Sequence, residues 1–244
     1  MLQPHIQLDE SLHIKYAILP GDPARVDRIA KFFDQPEELA FNREFKSIKG
    51  FYNGVPVLAL STGIGGASMT IALEELRQIG VTHCIRIGSC GALKKGIGLG
   101  DLIIVNGAVR DDGASNTYVD AIYPAIPDTD LMIRCMNEAN SAGYRHHVGI
   151  ARSHDSFYID DEAEVSRFWS EKGVLGADME TAALFTIGRL RGLKTASILN
   201  NVVLWGEDTA DSIGSYADGE NLTALGEKAE ILTALNAFAS LEQK

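Results

Sequence analysis

The chain has 244 residues, 45 % hydrophobic and 23 % charged, with 22 Lys and Arg set against 33 Asp and Glu for a net charge of −11. These ordinary globular proportions exclude a disordered or fibrous chain, and the acidic surplus argues against nucleic acid or an anionic membrane surface as partner. No apolar run approaches the ~20 residues of a membrane span, the opening Met1-Leu2-Gln3-Pro4-His5 lacks the basic-then-apolar order of a signal peptide, and Cys84, Cys90 and Cys135 read as buried small hydrophobes in a reducing compartment, so a cytoplasmic protein is expected.

Short apolar runs alternate with helical patterns, the signature of an α/β fold around a largely parallel sheet. Tyr16 to Leu19 is a first buried strand, stopped by Pro20-Gly21-Asp22-Pro23, where Asp22 is suited to cap a helix and Pro23 to begin it. That helix carries Val26, Ile29, Ala30 and Phe33 at helical spacing. Phe45 to Tyr52 and Val55 to Leu60 flank Asn53-Gly54, a type I′ hairpin signal that makes the sheet mixed. Gly63-Ile64-Gly65-Gly66 leads into a helix burying Ile71, Leu73 and Leu76. Strands follow at Cys84 to Ile87 and Leu102 to Val105.

The stretch from Arg110 to Asp128 lacks periodicity and reads as a lid or an interface loop. Beyond it the patterns predict a helix over about Asp128 to Ala142 and a strand around Val148 to Ala151. Helices are expected at Glu162 to Glu171 and Met179 to Leu190, a strand at Ala196 to Val203, and a last helix from about Asn221 to Leu241. No repeat, low-complexity stretch or Pro/Gly/Ser linker divides the chain, so residues 1–244 are read as one domain.

Three places carry candidate chemistry. Gly21-Asp22-Pro23-Ala24-Arg25 sets a guanidinium beside a helix start, whose N–H groups suit a phosphate; an ordinary capped turn would look the same. Arg86-Ile87-Gly88-Ser89-Cys90-Gly91 places an arginine inside an apolar strand, which demands a partner, a structural salt bridge or a ligand. Its glycines and Ser89 fall at the strand's C-terminal end, the usual ligand crevice of α/β sheets. Asp178-Met179-Glu180 precedes a helix, so its acids either cap that helix or accept hydrogen bonds from a sugar diol.

Taken in order, these motifs make the chain resemble nucleoside phosphorylases of the uridine phosphorylase and hexameric purine nucleoside phosphorylase type. The resemblance covers essentially the whole chain. It also takes in Pro4-His5-Ile6, Asn42-Arg43-Glu44-Phe45, Ser61-Thr62-Gly63-Ile64-Gly65-Gly66, Val109-Arg110-Asp111-Asp112-Gly113-Ala114-Ser115 and Ser156-Phe157-Tyr158. It implies a three-layer α/β/α domain with a central mixed, mostly parallel sheet. The implied reaction is cleavage of a nucleoside by inorganic phosphate, giving free base and pentose 1-phosphate. No further cofactor is required.

By that resemblance Gly21, Arg25, Arg86 and Ser89 hold phosphate, with Arg43 reaching in from a neighbouring subunit of a homo-oligomer, a hexamer of dimer units. Glu180 accepts from the ribose hydroxyls, Met179 packs on the sugar, and His5 of the partner reaches the 5′-hydroxyl; Arg86 and Glu180 are the catalytic pair. Phe157 covers the base or sugar. A potassium ion is implied at a dimer interface, where Glu44, Ile64 and Ser68 occupy the matching positions.

At the base end the resemblance breaks. Uridine phosphorylases carry a Gln and an Arg shortly after the Phe-Tyr pair, where this chain has Asp161 and Ala163. Purine enzymes carry an Asp after a later strand, where this chain reads Leu199-Asn200-Asn201-Val202-Val203-Leu204-Trp205. Asp160, Asp161, Trp205, Glu207 and Asp208 are the candidates for an altered base pocket or an acidic surface loop. Motif wording lies nearest uridine phosphorylase, with a purine enzyme or a nucleoside-binding protein of weakened turnover as the alternatives. A nucleosidase using water is opposed by Arg25, Arg43 and Arg86, and a dinucleotide-binding oxidoreductase by the failed G-x-G-x-x-G spacing after Gly63.

Overall fold

The computed structural model describes residues 1–207 and 222–242; Asp208 and the expected helix start at Asn221 lie outside them. The strands are β1 (Tyr16–Leu19), β2 (Asp34–Asn42), β3 (Phe45–Tyr52), β4 (Val55–Leu60), β5 (His83–Ala92), β6 (Leu102–Asp111), β7 (His146–His154), β8 (Gly176–Asp178) and β9 (Lys194–Val203). The helices are α1 (Pro23–Ala30), α2 (Gly66–Gln78), α3 (Gly113–Tyr118), α4 (Thr129–Ser141), α5 (Glu162–Glu171), α6 (Thr181–Leu190) and α7 (Leu222–Glu242).

The sheet runs β2-β3-β4-β1-β5-β8-β7-β6-β9, and β9 returns to pair with β5. Ladders β1–β4, β1–β5, β5–β9, β6–β7 and β7–β8 are parallel, whereas β2–β3, β3–β4, β5–β8 and β6–β9 are antiparallel. Strands β5, β8, β7, β6 and β9 therefore close on themselves, while β1 to β4 spread from β5 as an open wing. Closure leaves these five strands without a bare edge within the ring.

Period-two alternation sorts the strands onto two apolar cores. Ala17, Leu19, Leu58, Leu60 and Cys84 pack with Met69 and Leu73 of α2 and Ala182 and Phe185 of α6. Tyr16, Ile18, Val57, Ala59, Ile85 and Ile87 face the other way, against Val26 and Ile29 of α1, Leu131 and Cys135 of α4, and Leu235 and Phe238 of α7. Helices thus cover both faces of a mixed sheet, as the sequence patterns predict. The three cysteines are free and buried, and burial pushes the Cys84 and Cys135 thiols up to about 12.

Local signals account for most boundaries. Asp22 accepts from the Ala24 N–H at 2.8 Å to start α1, and Asn53 and Gly54 both take positive φ in the hairpin. Phe33 lies past the end of α1, packed over Gly50, where a Cβ would come within 2.6 Å of its own. Strand β2, unexpected from the sequence, is an outer strand with Pro36, two register shifts and no fully buried residue, so it carries no alternating signature.

The aperiodic stretch after β6 is held rather than loose. It contains α3, capped by buried Asp112 through the Ser115 N–H at 2.7 Å. Arg110 donates to the carbonyls of Ser115, Val119, Asp120 and Tyr123 and to the Ser115 hydroxyl. Arg110→Ala is expected to release this segment, exposing residues 113–123 to limited proteolysis and lowering stability by about 1–3 kcal/mol. Unchanged protease resistance and an unchanged urea midpoint would show that the staple is dispensable.

Candidate active site

Strand β5 turns Ile85 and Ile87 to one core and Arg86 to the opposite face, where its guanidinium is only 3 % exposed. Nε donates to Asp178 Oδ2 at 3.0 Å, and Nη2 lies 2.5 Å from Glu180 Oε2. The third nitrogen, Nη1, is buried with no hydrogen-bond partner. Gly88 makes room for this arrangement, since a Cβ there would stand 2.4 Å from Arg86 Nη2.

Asp178 resolves the choice between cap and ion pair by doing both: besides Arg86 it accepts from the Ser153 hydroxyl at 2.6 Å and the Thr181 N–H at 3.0 Å. Helix α6 begins at Thr181, so Met179 and Glu180 stand on the turn ahead of it, one residue-pair outside the helix expected from Met179. Glu180 Oε1 accepts from the Gly65 N–H at 2.6 Å, which ties the glycine turn before α2 to the acidic motif. Burial, with neighbouring Asp178, pushes the Glu180 carboxyl above its ordinary range against the pull of Arg86.

Arg25 approaches from α1. Its Nη2 donates to the Ser89 hydroxyl at 3.1 Å, its Nε to Glu227 Oε2 at 2.9 Å, and its Nη1 lies 3.2 Å from Glu230 Oε1. The structure thus brings Arg25 and Ser89 together in the C-terminal half of β5, three residues on from Arg86; the strand runs on to Ala92, past the end expected at Ile87. Gly21 sits at the same end, its carbonyl accepting from the Gly63 N–H at 3.0 Å, and its Cα is closely approached: a Cβ would meet the Gly63 carbonyl at 3.0 Å. The free helix N–H groups expected for a phosphate are a correction, because the Asp22 side chain takes the Ala24 N–H and its carbonyl the Arg25 N–H.

Glu227 and Glu230 escaped the sequence reading. They lie three apart within the Ala- and Leu-rich α7, so both fall on one face of the helix, and that spacing was the available signal. Glu227 also receives Arg28, Nε at 2.5 Å and Nη2 at 3.1 Å.

His5 and Arg43 stand at a second place. Buried Glu75 of α2 accepts from the Ile6 N–H at 2.8 Å and pairs with His5 Nδ1 at 2.6 Å, so the N-terminal segment is tied down rather than a loose tail. Asn42 donates to the His5 carbonyl, and His5 meets Phe45 edge-on. Arg43, in the two-residue turn between β2 and β3, is exposed at φ +56° and makes no hydrogen bond or ion pair among the described residues. A non-glycine residue in that region is strained by about 1 kcal/mol.

Beside it, Ser68 donates to Glu44 Oε1 at 2.6 Å, which holds the Glu44 carboxyl below its ordinary range, and the Gly63 Cα packs on the Glu44 side chain. Glu44 and Ser68 supply hard oxygen donors that suit an alkali cation, and Ile64, 79 % exposed, has only its carbonyl to add.

At the expected base end, half-buried Phe157 meets exposed Tyr158 in a T-shaped contact at 4.8 Å. Exposed Asp161 precedes α5 without capping it and lines a 450 Å³ cavity with Arg152, Asp111 and Trp169. Arg152 is taken by Asp111 at 2.7 Å. Asp160 and Glu207 are exposed and Trp205 half-buried.

Comparison with known proteins places this geometry. The family model described as the phosphorylase superfamily matches residues 15–233. Guanosine phosphorylase of Halorubrum lacusprofundi is 38 % identical over 213 residues, covering 86 % of this chain and 88 % of that one. The crystal structure of uridine phosphorylase from Vibrio fischeri ES114 superposes with a TM-score of 0.91 at 45 % identity, covering 98 % and 97 %. Purine nucleoside phosphorylase from Toxoplasma gondii, in complex with immucillin-H, superposes with a TM-score of 0.90 at 29 % identity, covering 98 % and 96 %.

Removing one member of a buried ion pair strands the other. Asp178→Ala leaves the Arg86 Nε and the α6 start unsatisfied together, and is expected to cost about 3–5 kcal/mol in urea denaturation. A loss below about 1 kcal/mol, the range of an exposed pair, would mean that Arg86 finds solvent in the folded protein.

Proposed function

The chain belongs to the phosphorylase superfamily, and from that premise we propose that it cleaves the N-glycosidic bond of nucleosides with inorganic phosphate, as a pentosyltransferase. The observation that carries this reading is Arg86 Nη1, a charged donor buried without an acceptor. An unmet buried donor costs about 1–3 kcal/mol, and an anion oxygen delivered between Arg86, Arg25 and Ser89 would satisfy it.

Phosphate held there is both nucleophile and counter-charge. The sugar passes through an oxocarbenium-like state, and an anion fixed beneath C1′ stabilises the positive charge as it develops. Glu180, once it accepts from the 2′- and 3′-hydroxyls, holds the ring in place, and Met179 packs against the sugar; hydroxyl contacts that strengthen towards the transition state serve glycoside hydrolysis in the same way. The base leaves on the side of Phe157 and Asp161.

The assembly is a homo-oligomer whose sites are shared. Arg43 supports this: an exposed guanidinium at a strained turn, with His5 fixed beside it by Glu75, is a lip aimed away from its own fold. Crossing into a neighbour, Arg43 adds a positive charge to the phosphate and His5 meets the 5′-hydroxyl. Glu44, Ser68 and the Ile64 carbonyl hold potassium at that interface.

For the base, overall motif wording favours uridine, and the guanosine and purine relatives support a purine as the second reading. Free base released from a uridine and guanosine panel, with and without phosphate, decides between them. Full-rate cleavage in phosphate-free buffer overturns phosphorolysis altogether.

Arg86→Lys keeps the charge that Asp178 and Glu180 need but loses the fork, so phosphate KM is expected to rise about 10–100-fold with the fold retained. Co-assembling Arg43→Ala and Arg86→Lys subunits is expected to regain activity over either variant alone, because some mixed sites then carry neither change. No recovery in mixed oligomers would place Arg43 in its own subunit's site.

A further inference from the structure

The arginine site is not an island of positive charge. Arg25, Arg28 and Arg86 are faced by Asp178, Glu180, Glu227 and Glu230, so among the described residues the carboxylates outnumber the guanidinium groups. Even with Arg43 added from a neighbour the cluster only reaches neutrality, so an entering dianion finds no net positive charge unless one carboxylate gives way.

The geometry singles out which. Asp178 accepts from Arg86, Ser153 and Thr181; Glu180 accepts from Gly65 and faces Arg86; Glu227 is shared by two arginines. Glu230 is fully buried and much less satisfied. Its Oε2 accepts one bond, from the Gly88 N–H at 3.1 Å, and its Oε1, 3.2 Å from Arg25 Nη1, lies off the hydrogen-bonding line and has no hydrogen-bond partner. It touches Gly88 and Arg25 at once, on either side of Ser89.

We propose that Glu230 is a proton gate on anion binding: the anion is held in the Arg25–Arg86–Ser89 site when the Glu230 carboxyl is protonated, so that wherever this carboxyl is ionised one proton from solvent is taken up with the anion. This deepens the phosphorylase reading and rests on it. No bond to carbon is involved; one proton moves from solvent to Glu230 Oε1.

The surroundings support such a gate. Around Glu230 stand Arg25 from α1, Arg86 from β5 and Glu227 one turn back on α7. From β5 come also the Gly88 N–H and the Cys90 thiol, the latter held protonated by burial. Burial raises the Glu230 carboxyl to about 8, with Glu227 adding to the rise and Arg25 and Arg86 opposing it.

Sulfate is the probe, because it remains a dianion across the range in which phosphate changes charge. With uridine or guanosine as substrate, its inhibition constant against phosphate is measured between about pH 6 and 9 for the full oligomer and for Glu230→Gln. In the unmodified enzyme sulfate should weaken by about tenfold per pH unit above 8, and in Glu230→Gln the profile should be flat with binding at pH 7 no weaker. Parallel profiles, or a Glu230→Gln enzyme that binds sulfate more weakly at pH 7, overturn the gate.

If Glu230→Gln fails to fold, calorimetry of sulfate binding to the unmodified enzyme at pH 8, in buffers of different ionisation enthalpy, tests the same point: partial proton uptake supports it and none overturns it. Cleavage that ignores phosphate would instead overturn the phosphorylase reading, whatever the sulfate profile.

Discussion

A guanidinium taken out of water must be met by carboxylates, and the heart of this protein is organised by that requirement. Arg25 and Arg86 are both almost wholly buried, and the acids that meet them come from β8, the turn before α6, and α7. Leaving either arginine unmatched costs several kcal/mol, comparable to the whole net stability of a domain. The tertiary arrangement of these elements and the assembly of the binding site are therefore one event.

The same pairing keeps the arginines in place before any ligand arrives. Guanidinium groups fixed by Asp178, Glu180 and Glu227 need not be ordered when an anion binds, so the entropy of two long side chains has already been lost in folding. What remains available is narrow: Arg86 Nη1 and the Ser89 hydroxyl shared with Arg25. Under the proposed function, selectivity for a small tetrahedral anion would follow from how few donors are left, rather than from an excess of positive charge.

Much of this was legible in the residues. Short apolar runs announced β1 and the middle of β5; Asn53-Gly54 announced the hairpin of β3 and β4; and an arginine inside the apolar run Cys84-Ile85-Arg86-Ile87 announced that a partner must exist. What stayed hidden was non-local or lacked periodicity. Strand β2 begins with the polar run Asp34-Gln35-Pro36-Glu37-Glu38 and has no alternating order, and β8 spans three residues, so neither carries a pattern. The acids opposite Arg25 lie some 200 positions downstream in a helix that reads as plain core filler, since spacing within one helix says nothing of what lies across from it. Asp22 shows the opposite error: a cap correctly read also occupies the N–H groups that a phosphate was expected to use.

Arg25 and its partner Glu227 are separated by 202 positions, close to the full length of the chain. During synthesis the arginine leaves the ribosome long before the glutamate exists, and at ordinary elongation rates, about 5–20 residues per second, the interval is on the order of ten seconds or more. The amino-terminal wing can form its hairpins in that time, but its cationic side chain stays in water until the last helix emerges. A nascent or truncated polypeptide ending before α7 accordingly lacks the carboxylates that meet Arg25, while Arg86 keeps Asp178 and Glu180, a chemical difference by which cellular quality control could tell an unfinished product from a finished one.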